Sequence, residues 1–162
     1  MVNNDAIVSI VSKITEHESA PCKKTLQKIV FLIEAKQVDL GCDYGIHFYG
    51  PYSADLDFAV RELCDEGVLK IDYTPTEHFI SVADSSMVGN YSDQTVDQVI
   101  GTFGKESVSE LELIATALYV YMSVKDKEKI KAGVLKIKGS KYADTRIDAA
   151  IEKLMNSGYI SA

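Results

Sequence analysis

The 162-residue sequence predicts a mainly helical α+β protein with winged-helix-like features, built as two small helical subdomains with short strands in the first. Three observations predict it. Apolar residues recur at helical spacing in seven segments along the chain. Two strand-like runs, residues 68–73 and 78–82, flank Thr74-Pro75-Thr76-Glu77, which reads as a hairpin loop. A helix closed by glycine and followed by an apolar residue occurs once in each half: residues 59–68, ending Gly67-Val68, line up with residues 150–159, ending Gly158-Tyr159. The small, polar stretch at residues 83–89 is the expected connector, which divides the chain into residues 1–86 and 90–162.

Taken in order, residues 3–15 place Ile7, Ile10, Val11 and Ile14 on one helical face, with Asn3, Asn4 or Asp5 as cap. A second helix is expected over residues 22–36, with Pro21 in its first turn. Its apolar side holds Leu26, Ile29, Val30 and Ile33, widened by Phe31 and Leu32; Lys23, Lys24, Lys28 and Lys36 are assigned to its wet face. Residues 46–49 read as a short aromatic strand, Gly50-Pro51 as a corner, and Ser53 as the cap of a third helix. In the second half, helices are expected over residues 91–103, 110–123, 127–137 and 144–156. Ser109 and Glu112 have capping-box spacing, and the helix after them is apolar nearly all round, which predicts a central position or an interface.

Composition excludes several functions. The chain has 46% hydrophobic and 25% charged residues, an ordinary soluble balance. No apolar run is long enough to span a bilayer, and the first five residues lack the basic start of a signal peptide. The expectation is a complete cytoplasmic protein that does not engage membranes. Cys22, Cys42 and Cys64 read as reduced thiols. His17, His47 and His78 form no ligand-spaced pair, and no phosphate-binding glycine loop is present, so neither metal nor cofactor is expected. Nothing marks a catalytic constellation, and the chain is read as non-enzymatic.

Two motifs carry a resemblance: residues 26–32, Leu-Gln-Lys followed by apolar residues, and residues 48–53, Phe-Tyr-Gly-Pro-Tyr-Ser, before Leu63 and Gly67-Val68. The chain resembles the uncharacterised YwgA-like proteins of prokaryotes and, more distantly, the Panacea (SocA-type) antitoxin-associated domains. The resemblance is clearest over residues 22–70, and it implies a small helical protein with a regulatory or toxin-neutralising role. It implies no catalytic residues.

Charge then sorts the binding functions. The net charge of −7 combines −11 over residues 1–124, +5 over residues 125–146 and −1 over residues 147–162. On the third helix Asp55, Asp57, Glu62, Asp65 and Glu66 face outward beside Arg61, a surface that DNA phosphates repel. The expected function is a binding module acting through protein–protein contact, with Phe48, Tyr49, Tyr52, Asp55 and Arg61 as candidate partner-binding residues. The runner-up is a DNA-binding regulator that contacts the backbone through residues 125–146, using Lys136, Lys138, Lys141 and Arg146. Tyr119 and Tyr121 leave a homodimer open. Tyr49→Ala is expected to cost about 2–4 kcal/mol of stability if the ring is buried.

Overall fold

The computed structural model describes residues 1–161. Helix α1 (Asn4–His17) starts where Asn3 Oδ1 accepts the Ala6 N–H at 3.1 Å. Helix α2 (Lys23–Glu34) is capped by a thiol, Cys22 Sγ accepting from the Thr25 N–H at 3.4 Å. Pro21 therefore precedes the cap instead of entering the first turn. Its carbonyl accepts the Ile80 N–H at 2.8 Å, which ties the start of α2 to a strand far along the chain.

The aromatic stretch departs from expectation. Strand β1 (Gly45–His47) pairs antiparallel with β2 (Gly50–Tyr52), His47 opposite Gly50 and Gly45 opposite Tyr52. Phe48 and Tyr49 are thus the tip of a miniature hairpin, and Gly50-Pro51 belongs to the returning strand. The reason is backbone geometry. Gly50 holds φ at 96° while Phe48 and Tyr49 keep negative φ, so glycine supplies the residue that closes the turn.

Helix α3 (Ala54–Asp65) begins at the predicted cap, Ser53 Oγ accepting the Leu56 N–H at 3.2 Å. Strands β3 (Leu69–Tyr73) and β4 (His78–Val82) form the expected second hairpin in register, Leu69 opposite Val82 and Tyr73 opposite His78. After a 3₁₀ turn at Ser85–Met87 come α4 (Gln94–Phe103) and α5 (Val108–Val124). A further 3₁₀ turn at Lys127–Lys129 leads into α6 (Ile130–Lys138), and α7 (Asp144–Asn156) follows. Among the described residues both hairpins lie in the first half and the second half holds helices without strands.

Helix α5 has the central position that its all-round apolarity predicts, touching α2, α6, α7 and β2. It starts two residues earlier than expected. Ser107 and Glu110 also have capping spacing, and Ser107 Oγ accepts the Glu110 N–H at 3.1 Å. That register releases Glu112 from a capping role and buries it. The core joins both halves: Ile7 and Ile10 of α1, Ile29 and Leu32 of α2, Phe103 of α4 and Leu111 of α5 belong to one apolar cluster. Each such side chain contributes about 1.5–3 kcal/mol by leaving water. At the α5–α6 contact the helices approach so closely that a Cβ on Gly133 would lie 2.4 Å from Val120 Cγ1.

The repeated helix ending is real at the level of hydrogen bonds. The Val68 N–H reaches back to the Leu63 carbonyl at 2.9 Å, and the Tyr159 N–H to the Leu154 carbonyl at 2.9 Å.

Candidate binding site at the aromatic hairpin

A hairpin as short as Gly45–Tyr52 is not stable by itself in water, so its shape depends on what holds it. Helix α2 holds the returning strand. Gln27 grips the backbone of Ser53 twice: Oε1 accepts its N–H at 2.8 Å and Nε2 donates to its carbonyl at 2.9 Å. One position on, Lys28 Nζ donates to the Pro51 carbonyl at 2.7 Å. The two sequence motifs are therefore a single device. Gln27 and Lys28 are the polar residues that fasten the Gly-Pro-Tyr-Ser segment to α2.

Helix α5 forms the other wall. A Cβ on Gly50 would lie 2.8 Å from Thr116 Oγ1, so only glycine lets β2 approach this closely. Glu112, one turn earlier, is 4% exposed and accepts from Lys138 Nζ at 2.7 Å and Lys141 Nζ at 2.8 Å. Burial alone would raise its pKa, but these two hydrogen-bonded lysines outweigh burial and hold the carboxyl below its ordinary range. Lys138 also donates to the Phe48 carbonyl. The tip is thus tethered from α6 as well.

What remains free is the tip itself. Phe48 is 79% exposed and Tyr49 is 44% exposed, their rings edge to face at 4.9 Å. Lys24 Nζ sits 4.1 Å from the centre of the Tyr49 ring. Tyr49 is not the buried ring whose loss would cost the fold heavily. Tyr52 is half-buried and packs on His47 at 4.7 Å. Asp55 accepts the Asp43 N–H at 3.4 Å, and Arg61 pairs with Asp57 at 2.9 Å along α3. Of the candidate partner-binding residues, the hairpin brings Phe48, Tyr49 and Tyr52 together, and Asp55 and Arg61 lie on the helix that follows.

The basic candidates divide. Lys138 and Lys141 join the hairpin through Glu112, whereas Arg146 pairs with Glu110 at 2.5 Å and Lys136 stays exposed on α6. Residues proposed for different partners, ninety positions apart, meet at one place.

Between α2 and the hairpin lies a pocket of about 300 Å³. Its inner wall is Gln27, Lys28 and Gly50, all buried, and its rim includes Lys23, Lys24 and Tyr49. Lys28 is 2% exposed, against its assignment to the wet face of α2. Burial is the main cause that lowers its pKa, to about 8; nearby Lys138 and Lys24 add to this and Glu112 opposes it. The sequence held a signal for this burial: Phe31 and Leu32, three and four residues on, put Lys28 on the face they widen. Glu112 was equally visible as an acid inside a helix apolar all round. A wider cleft of about 780 Å³ lies where α2 meets α5, lined by Glu34, Cys42 and Tyr119. Burial pushes the Cys42 thiol up to about 12, helped by adjacent Glu34, so it stays protonated and unreactive at neutral pH.

No protein-family model matches the chain. Among curated proteins, the chain is 30% identical over 139 residues to a Bacillus subtilis (strain 168) protein named "Uncharacterized protein YwgA", covering 80% of this chain and 82% of that protein. The chain belongs to the YwgA-like family. The match is longer than the stretch of residues 22–70 that carries the resemblance in sequence. Among the described residues of this YwgA-like chain no helix is long and apolar enough to cross a membrane.

Proposed function

We propose that this YwgA-like protein is a non-enzymatic binding module that engages a protein partner through the tip of the β1–β2 hairpin. The observation that carries this reading is the contrast between Phe48, 79% exposed, and the fixed strand beneath it, held through Gln27, Lys28 and Lys138. An exposed aromatic on a pre-organised support loses little conformational entropy on binding, which is the usual character of an interface anchor. The surrounding Lys23, Lys24 and Lys141 favour a partner surface that is apolar at its centre and acidic at its edge. A toxin-neutralising role would be one case of such binding.

Contact with DNA through residues 125–146 has weaker support. Lys138, Lys141, Arg146 and Lys131 each face a carboxylate of the same chain, which reduces the charge available for phosphates. Lys127, Lys129 and Lys136 are the better test of that alternative. Their joint replacement by Glu should leave DNA affinity unchanged in a salt titration if DNA is not the partner.

The protein reading is tested by co-purification from the native host after nuclease treatment, with the wild type and Phe48→Ala compared at equal thermal stability. The expected result is a discrete protein retained by the wild type and lost from the variant. Equal retention by both would contradict the reading.

A further inference from the structure

The pocket behind the hairpin carries an inference separate from its tip. Its lysines outnumber its carboxylates. Lys23, Lys24 and Lys28 line it against Asp57 alone, and Asp57 also serves Arg61 at 2.9 Å, with Lys23 farther off at 3.8 Å. Lys24 has no carboxylate within ion-pair distance among the described residues, and neither does Lys28. The Lys28 ammonium has three N–H donors but makes a single hydrogen bond, to the Pro51 carbonyl. A buried cation with unused donors at the inner wall of an open pocket is costly to the fold, and a bound anion would relieve that cost. This concentration of positive charge stands in a chain whose net charge is −7. The remaining wall is aromatic, with the His47 and Tyr52 rings tilted against each other and Tyr49 under Lys24.

We propose that this pocket binds a small organic anion, a carboxylate or phosphate monoester carried on an aromatic ring, with Lys28 receiving the anionic group and the tyrosine rings flanking the aromatic body. The volume, about 300 Å³, is at the small end of ligand sites and suits a single-ring compound. Lys24 supplies a second cation at the rim. Gln27 cannot turn to the ligand, because both ends of its amide are engaged by Ser53.

Protonation of Lys28 supports the same assignment. Its amine is mostly charged near neutral pH and loses its proton above about 8. The titratable groups facing it are Lys24 on α2, Glu112 on α5 and Lys138 on α6, with the buried Cys22 thiol at the α2 cap. Binding should therefore weaken as pH rises through that value, although the ligand itself keeps its charge.

The test is titration of the full chain with benzoate, phenyl phosphate, inorganic phosphate and the uncharged benzamide, followed by backbone-amide NMR shifts. Saturable shifts confined to residues 23–28 and 47–53 are expected with benzoate or phenyl phosphate, and the stronger of the two identifies the anionic group. Benzamide and inorganic phosphate should each bind at least about tenfold more weakly, since each lacks one half of the recognition. Lys28→Met should weaken the better probe by about tenfold or more. Lys24→Met, at the rim and giving up only the contact with the exposed Tyr49 ring, should weaken it several-fold if Lys28→Met proves too unstable to measure. Lys36→Met, outside the pocket, should change nothing. Benzamide binding as well as benzoate, absence of saturable shifts, or full affinity in the Lys24→Met variant would overturn the proposal. These outcomes are independent of the Phe48→Ala comparison, so either reading can fail alone.

Discussion

Gly50 meets two constraints at once: φ at 96° and a wall, Thr116 Oγ1, standing 2.8 Å from where a Cβ would be. Gly50→Ala is expected to destabilise the fold by about 2–4 kcal/mol, from backbone strain and overpacking together. A lowered urea midpoint with an unchanged slope would show it. Glu112 poses a different test. Its folded pKa lies below its unfolded value, so its stabilisation is present above the ordinary carboxylate range and is lost as pH falls through the folded value. Glu112→Gln should therefore lower melting temperature at neutral pH and flatten the acid decline expected of the wild type below the ordinary carboxylate range. Melting curves across the acid range decide this; an unaltered acid limb in the variant would remove Glu112 from the account.

At the scale of elements, the first hairpin separates support from surface. Gln27→Ala leaves the Ser53 N–H buried without a partner, while the Ser53 carbonyl keeps the Asp57 N–H at 3.2 Å, and should cost about 1–3 kcal/mol. Phe48→Ala removes an exposed ring and should change stability by no more than about 0.5 kcal/mol. Chemical denaturation of the two variants side by side measures that contrast. The long helices and the β3–β4 hairpin were legible in the sequence because their apolar period and turn residues agree. The β1–β2 hairpin was not. Gly50-Pro51 satisfies the local rules for a corner, and only the pull of Lys28 on Pro51 and the wall of α5 make it a strand. The start of α5 was missed for a similar reason: Ser107 and Ser109 both offer capping spacing, and burial of Glu112 beside Lys138 and Lys141 accompanies the earlier one.

Across the whole molecule, three distant segments converge on one feature: α2 through Gln27 and Lys28, α5 through Glu112 and Thr116, and the end of α6 through Lys138. That convergence is a property of the fold and has no trace in sequence spacing, which on its own points Phe48 and Lys138 to different partners. It also leaves a lysine buried at a cost. Because the Lys28 pKa is lowered to about 8, the folded state gives up that proton before the unfolded state does. Its contribution to stability should rise with pH from about 8 toward the ordinary lysine range, by up to about 1.4 kcal/mol per pH unit. The quantity to follow is the difference between wild type and Lys28→Met in urea unfolding at several alkaline pH values. A difference that does not change with pH would mean Lys28 is not held as described. The central claim, that the hairpin tip is where a partner protein docks, is tested most directly by photo-crosslinking in the native host with p-benzoylphenylalanine in place of Phe48. The same probe in place of Tyr73, which is 67% exposed on the other hairpin, serves as the control. The account predicts a discrete crosslinked protein from position 48 and none from position 73; no crosslink at 48, or the same products from both, would contradict it.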